Sequence, residues 1–414
     1  MLSLQAETNN NYLITKLMKK LFFFMMALLP AMAWAAVGDE FAADGLKYKV
    51  TSESPKTVEL TRFDGARPTG ALTVPATVNG YAVTSIGTYA FKGCDGITSV
   101  EIPGSVTSIG TYAFCYCYGL TSVTIGNGVT SICDYAFFSC THLASLTFPA
   151  SVRTIGVAAF VACYDLKSVT ITAGVTSIGE QAFAKCNSLV SVNIPESVTS
   201  LHPMAFKECT NLESITVAQG NEHYKSVDGV LFDKGMTTLI RYPENKKQTN
   251  YAIPVGVTKI DTMAFHSCSD LQAVTIPASV TTISRYAFSI CKGMESFTVD
   301  AGNKYYKSVD GVLFDKGMTT LFEYPENKKS TSYVIPSGVQ TINSGAFVRC
   351  PGLTTVTIPT SVTRIDRLAF SSCKDLETVS IAKGSKLKSI YRLSFDGCEK
   401  LAPIEFPAGV EVVR

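Results

Sequence analysis

One phrase recurs through this chain on a fixed beat: Leu-x-x-Val-x-Ile-Pro-x-x-Val-x-x-Ile-x-x-x-Ala-Phe-x-x-Cys, well seen from Leu189 to Cys209. Its Phe stands at Phe91, Phe114, Phe137, Phe160, Phe183 and Phe206, 23 residues apart each time. It resumes at Phe265, Phe288, Phe347, Phe370 and Phe395, and a Cys follows three residues after each of these eleven. A unit this short cannot enclose a core alone. It must stack on its neighbours, which restricts the chain to a solenoid.

Within a unit, Leu-x-x-Val-x-Ile alternates and is β-branched, so it reads as a strand with Val100 and Ile102 inward and Ser99 and Glu101 outward. Pro103 ends that strand because it offers no N–H to the next ladder position. Val106 and Ile109 fill the opposite side of the coil, and Ala-Phe-x-x-Cys makes a compact turn, helical or otherwise. The Phe of each unit should stack on those above and below. Eleven of the 13 cysteines share one register position, with Cys115 and Cys133 outside it. A ladder of small thiols suits the inside of a narrow coil, so free buried cysteines are expected, although stacked neighbours would lie within disulfide reach. There is no CxxC pair or adjacent His to suggest zinc.

These residues carry a resemblance. The 23-residue unit with its Pro, Ala-Phe and Cys resembles the BspA-like, or Treponema-type, class of bacterial leucine-rich repeats. It covers residues 71–414, with local departures: Ser394 replaces the Ala, and the last full unit has 25 residues. The resemblance implies a right-handed leucine-rich-repeat horseshoe with a parallel concave β-sheet and short turns on the convex side. It also implies a surface-exposed or secreted protein, as the family largely is, and some members act as adhesins for host matrix proteins such as fibronectin and fibrinogen.

Residues 36–70 do not match the unit; Leu46 to Val50 and Val58 to Arg62 alternate as short strands and are expected to form an N-terminal β cap. Upstream, Lys19-Lys20, the apolar run Leu21 to Leu29 and the small residues Ala31, Ala33 and Ala35 follow the order of a secretory signal peptide. This places a signal peptide over 1–35, with Met18 as a candidate start, and an exported product. Its h-region is too short to span a bilayer. The whole chain has 36 basic and 34 acidic residues; without Lys16, Lys19, Lys20 and Glu7 the balance is 33 to 33. A neutral mature chain argues against nucleic acid or an anionic membrane as partner. At the other end the chain stops at Arg414 just after Phe406-Pro407 opens another unit, so a fragment or an external cap is expected.

Two units are interrupted, near 218–253 and 300–335, by near copies: Tyr224 to Leu239 reads letter for letter as Tyr306 to Leu321. Two readings stand open. Gly229 to Phe232, Asp233-Lys234-Gly235 and Thr237 to Tyr242 suit a β-hairpin; alternatively, Ile240-Arg241-Tyr242-Pro243 mimics a repeat strand that joins the concave sheet. Lys246-Lys247 and Lys328-Lys329 should lie on exposed turns.

Chemistry-bearing motifs are sparse. His142, His202, His223 and His266 fall at different phases of the repeat, and the chain has no G-x-S-x-G, P-loop, dinucleotide fingerprint or HExxH. No catalytic, cofactor or metal residue is assigned, and the chain is read as a non-enzyme. The outward strand positions are more informative: Ser99 and Glu101, Ser122 and Thr124, Ser145 and Thr147, Ser168 and Thr170, Ser191 and Asn193. They form a sheet of hydroxyls, either a strand-compatible ladder or a polar surface for a glycan or an extended peptide. If the insert strands join that sheet, Arg241 and Glu323 break it with opposite charges and become specificity candidates. Tyr89, Tyr112 and Tyr135 recur at repeat spacing and either shield the coil rim or bind protein or sugar. The expected function is an exported, surface-associated binding protein, adhesin-like toward host matrix proteins or other glycoproteins. A glycan-binding module and a structural spacer displaying another domain are the alternatives.

Overall fold

Strand-forming alternation fills one side of each unit, and the turn side, which the sequence left open to a helix, forms none among the described residues. The structure is a computed structural model that describes residues 36–413, a stack of coils made of strands and turns, without a helix among the described residues. The signal-peptide reading falls on residues 1–35, outside the described residues.

Each coil has three sides, and each side makes its own ladder. The Leu-x-x-Val-x-Ile strands form a parallel sheet, with Ile97–Ile102 pairing Ser122–Ile125 so that Val100 meets Val123. Ser145–Thr147 pairs Ser168–Thr170 and Ser191–Ile194 pairs Ser214–Val217 in the same register. The opposite side, expected only to fill the coil, forms a second parallel sheet of two-residue strands. Ser108–Ile109, Ser131–Ile132, Thr154–Ile155, Ser177–Ile178 and Ser200–Leu201 pair in succession.

The third side is the Ala-Phe-x-x-Cys turn, which is not helical. It places the residue before Ala in the left-handed region, at Tyr89 (φ 60°), Tyr112 (φ 57°) and Tyr135 (φ 58°). The residue two after Phe is left-handed as well, at Tyr116, Ser139, Ala162 and Lys185. Bulky residues seldom adopt this conformation. Here it turns N–H groups toward the next coil: Tyr89 N donates to Thr111 O (3.0 Å), Phe91 N to Ala113 O (2.7 Å) and Phe114 N to Ala136 O (2.7 Å).

Inside, Phe91, Phe114, Phe137, Phe160, Phe183 and Phe206 stack with centroids 5.1–5.6 Å apart and interplanar angles of 5–11°. Most of the repeat Cys thiols answer a backbone need. Cys117 Sγ donates to Phe91 O (3.1 Å), Cys140 to Phe114 O (3.2 Å) and Cys209 to Phe183 O (3.1 Å). All 13 thiols are free, and burial pushes Cys94 up to about 11 and Cys163 up to about 12, so these thiols are kept protonated and unreactive.

The cap is an antiparallel meander of Glu40–Ala43, Leu46–Glu53 and Lys56–Phe63, whose last strand runs parallel to Tyr81–Ile86 and enters the second sheet. The two inserts repeat this topology. Tyr224–Val227 and Val230–Asp233 make a hairpin, Thr238–Arg241 returns antiparallel, and then pairs parallel with Lys259–Ile260. Tyr306–Val309, Val312–Asp315 and Thr320–Glu323 do the same ahead of Thr341–Ile342. All three hairpins turn on Asp-Gly with both residues left-handed: Asp44-Gly45 (φ 50°, 75°), Asp228-Gly229 (50°, 74°) and Asp310-Gly311 (51°, 75°). This is the turn whose twist matches paired strands, and Gly supplies its second position without strain.

The inserts are thus internal caps. Val230–Asp233 crosses the interior with Leu231 in the upstream core and Val230 and Phe232 in the downstream one. Leu313 is divided from Val312 and Phe314 in the same way. Buried Asn221 seats the first cap: its Nδ2 donates to Pro195 O (2.8 Å) and Val198 O (3.0 Å), while Oδ1 accepts from His223 N and Tyr224 N (both 2.8 Å). Tyr224 Oη accepts the N–H of Leu201 (2.8 Å), closing the edge of the upstream second sheet, as Tyr306 Oη does for Ile283 (2.9 Å). Both readings of the insert therefore hold in part. The hairpin forms, and the returning strand does join a sheet, but the second one. Lys247 and Lys329 are exposed, whereas Lys246 and Lys328 are partly covered and pair with the turn aspartates Asp228 (3.2 Å) and Asp310 (3.3 Å).

Candidate binding surfaces

The hydroxyl face forms where the strand pleat sends alternate residues outward. Glu101, Ser122, Thr124, Ser145, Thr147, Ser168, Thr170, Ser191 and Asn193 are exposed, and Ser99 is half-buried. Register pairs Ser145 with Ser168 and Thr147 with Thr170. These hydroxyls do not bond one another. Among the described residues only Asn193 of this set is engaged, accepting from Thr216 Oγ1 (3.1 Å). Contrast Thr121 and Thr130, whose Oγ1 donates to a carbonyl of the preceding coil, Thr98 O (2.9 Å) and Thr107 O (3.1 Å). The outward hydroxyls keep their hydrogen-bonding capacity for something outside the chain.

The tyrosines lie on the turn side instead. Tyr89, Tyr112 and Tyr135 stack at 5.0 and 4.7 Å, each pair at 11°. Left-handed backbone pinned by the turn ladder fixes where each ring starts, so the array is preorganised. Tyr116 packs edge-on against Phe138 (5.5 Å) and tilted against Tyr118 (6.0 Å). Lys92 Nζ sits 4.9 Å from the Tyr89 ring centre and 6.0 Å from that of Tyr116, within cation–π range. The wall continues as a cluster of Ala158, Val161, Ala162 and Ala184, against which Tyr135 and Phe138 pack. Because the tyrosines stack face to face, their faces are spent on one another, and the outer edges and hydroxyls are what a partner would meet. Phe138 and Val161 escaped the sequence reading because the position after the Phe changes from unit to unit, from Lys92 and Cys115 to Phe138, Val161 and Ala184; only the coil register brings them beside the tyrosines.

Arg241 and Glu323 are not on the hydroxyl face. The insert strand joins the second sheet, and Tyr242 takes the Phe place, stacking 5.2 Å from Phe265 with its N–H on Ala264 O (2.8 Å). Arg241 therefore falls at the repeat's inward Ala position. It is 1% exposed and ion-paired to Glu244. Glu244 Oε1 also accepts from Glu208 N (2.6 Å), and Arg241 Nη1 donates to Met263 O (2.8 Å). Beside them His266 is lowered to about 4, first by burial and then by Arg241, with Nδ1 2.8 Å from Ser289 Oγ. Glu323 takes the same Ala position in the second insert, largely covered, with no ion pair among the described residues. Neither residue is a surface specificity determinant of that face.

The second insert keeps Glu326 where the first has Glu244. Glu326 is 8% exposed, and burial pushes it up to about 7, against the pull of Arg349 and Lys292. A folded pKa above the unfolded one means that the folded chain holds a proton the unfolded chain has already lost. Stability from this group is complete below about pH 4.5 and is lost as pH rises toward 7. Glu326→Gln is thus expected to stabilise at pH 8 by up to about 3 kcal/mol and to do little at pH 4.5. Chemical denaturation at both pH values checks it; equal effects would refute this source of pH dependence.

Comparison with known proteins agrees with the fold. The family described as BspA type leucine rich repeat region matches residues 84–213, 241–314 and 320–414, in six copies. A leucine rich cell surface protein from Faecalibacterium prausnitzii superposes with a TM-score of 0.62 and 28% identity over 88% of this chain and 93% of that one. The pneumococcal vaccine antigen PcpA superposes with a TM-score of 0.66 and 24% identity over 90% of this chain and 93% of that one, a likeness of fold. No curated protein matches the chain.

Proposed function

The chain belongs to the BspA-type leucine-rich-repeat family, and from that premise we propose that it is an exported, surface-associated binding protein with adhesin-like recognition of host matrix proteins or other glycoproteins. The observation that carries this reading is the preorganised aromatic wall of Tyr89, Tyr112, Tyr135, Tyr116 and Phe138. Rigid aromatics with polar tips give large contact area at low entropic cost, which is why they dominate protein interfaces. The cell-surface description of the Faecalibacterium relative supports the location. So does the segment upstream of residue 36, with its signal-peptide order. No helix among the described residues is long and apolar enough to cross a membrane.

Protein is favoured over glycan as the partner by the stacking itself. Sugars are gripped on open ring faces, and here the inner faces are taken by neighbouring tyrosines and the Tyr89 ring also carries Lys92. The unengaged hydroxyls of the strand face supply a second, polar contact for a large partner. The test is solid-phase binding of residues 36–414 to fibronectin, fibrinogen and other matrix glycoproteins, in parallel with a glycan array. Saturable binding to a matrix protein, weakened about tenfold or more by Tyr112→Ala, is the expected result. Absence of saturable binding to any of them, or an unchanged affinity in Tyr112→Ala, would overturn it.

A further inference from the structure

The two inserts are near copies that differ sharply at one buried point. In the first, the Ala position holds Arg241, whose guanidinium meets Glu244 three residues on. In the second, Glu323 stands in that place and Glu326 stands in for Glu244. The carboxylate has been kept and its guanidinium replaced by a second carboxylate. Among the described residues neither the Glu323 nor the Glu326 side chain has an ion pair or hydrogen bond, Glu326 Oε2 is buried without a partner, and Arg349 and Lys292 act on Glu326 only from beyond ion-pair distance. Glu323 is close enough to Glu326 for the two charges to repel.

Beside Glu323 lies a cavity of about 180 Å³ between the coil of Phe288 and that of Phe347. One water needs roughly 10–15 Å³ of such volume, so the space admits a group far larger. Its walls are of two kinds. Ile283, Phe288, Leu313 and Phe322 are apolar, while Tyr286, Ser284 and Asn343 line the same cavity as Glu323 and add polar groups to its wall. Arg285 also borders it, but that side chain is exposed and forms no ion pair with either carboxylate among the described contacts.

We propose that this cavity binds a guanidinium-class cation, held by Glu323, in the role that Arg241 plays inside the first insert. The lining selects the class. Divalent calcium asks for six to eight oxygens and magnesium for near-ideal octahedral geometry, and a half-apolar wall cannot provide either. A planar, weakly hydrated guanidinium takes carboxylate oxygens edge-on and rests its faces on aromatic rings. Its source is either a free small molecule or an arginine side chain on a partner protein. The site lies apart from the tyrosine wall and stands or falls independently of that reading.

The test uses the full chain and agmatine as probe, by isothermal titration calorimetry, with an arginine-containing tripeptide amide and its citrulline counterpart in parallel. Saturable binding of agmatine and the arginine peptide, but not of the citrulline peptide, is expected. Tighter binding of the peptide than of agmatine assigns the site to a partner's arginine, and the reverse order to a free ligand. Glu323→Gln should weaken binding about tenfold or more, the loss of one charge-assisted contact. Glu323→Arg, which restores the residue of the first insert, should abolish it. Circular dichroism on both variants separates lost binding from lost fold, and the conservative Glu323→Gln decides the matter if Glu323→Arg fails to fold. Arg285→Ala should leave affinity unchanged or raise it, by removing a competing cation. The proposal is overturned by no binding to the wild-type chain, by equal binding of the citrulline peptide, by calcium binding tighter than agmatine, or by undiminished binding in Glu323→Gln.

Discussion

Phe160→Ala is expected to cost about 3–5 kcal/mol, the upper range for truncating a buried aromatic. Phe160 is fully buried, stacked 5.2 Å from Phe137 and 5.4 Å from Phe183, with Phe148 edge-on at 5.7 Å. What sets the size of the loss is how far the surroundings can collapse into the space. They are held on every side. Phe160 N donates to Ala182 O (2.8 Å), its carbonyl receives the Cys186 thiol (3.4 Å), and the two sheets fix the coil on its other faces. The backbone cannot close on the cavity without breaking coil-to-coil bonds. Both neighbouring rings also lose an offset stack, which adds to the area term. Urea unfolding of the variant against the parent measures this. Since each unit contacts only its neighbours, the loss should appear in the upstream core bounded by Leu231. A loss below about 1 kcal/mol would mean that the Phe column follows from the repeat without holding it together.

The Phe column was legible because every unit restates it, and so were the Cys ladder and the strand ended by Pro103. What escaped was of two kinds. The second sheet rests on pieces as short as Ser108–Ile109, too brief for alternation to show, and its existence depends on stacking rather than on local preference. The turn wall needs left-handed Tyr and Lys residues, which no propensity scale favours; tertiary hydrogen bonds override the local cost there. The internal caps had a visible signal in Asp44-Gly45, Asp228-Gly229 and Asp310-Gly311, each preceded by a four-residue strand. Reading it required comparing the inserts with the cap rather than with the repeat. The hydroxyl face and the tyrosine register were foreseen as positions; that the hydroxyls stand unengaged and the ring faces are mutually covered came only from the geometry.

Arg241 was misplaced for an instructive reason, and the same reason makes its removal costly. The returning strand of the insert reaches Tyr242 in three residues from Leu239, whereas an ordinary coil takes five from Ile260 to Phe265. That shortening moves Arg241 from an outward strand position to the inward Ala position. A charge so placed survives only with its partners, and it has them in Glu244 and the Met263 carbonyl. Arg241→Leu is expected to cost about 3–5 kcal/mol, because it strands Glu244 in the interior without its cation. Glu244, already raised to about 7 by burial with Arg241 pulling the other way, should then rise further and stay protonated at neutral pH. The variant should accordingly be closest to the parent in acid and fall behind it as pH rises. The double variant Arg241→Leu with Glu244→Leu should regain much of the loss, since a buried ion pair is often matched by apolar groups of similar volume. Denaturation of the parent, both singles and the double gives the coupling between the two sites. A single variant within about 1 kcal/mol of the parent, or a double variant no better than Arg241→Leu, would show that water or backbone reaches Glu244 and that the pair is not what seats this internal cap.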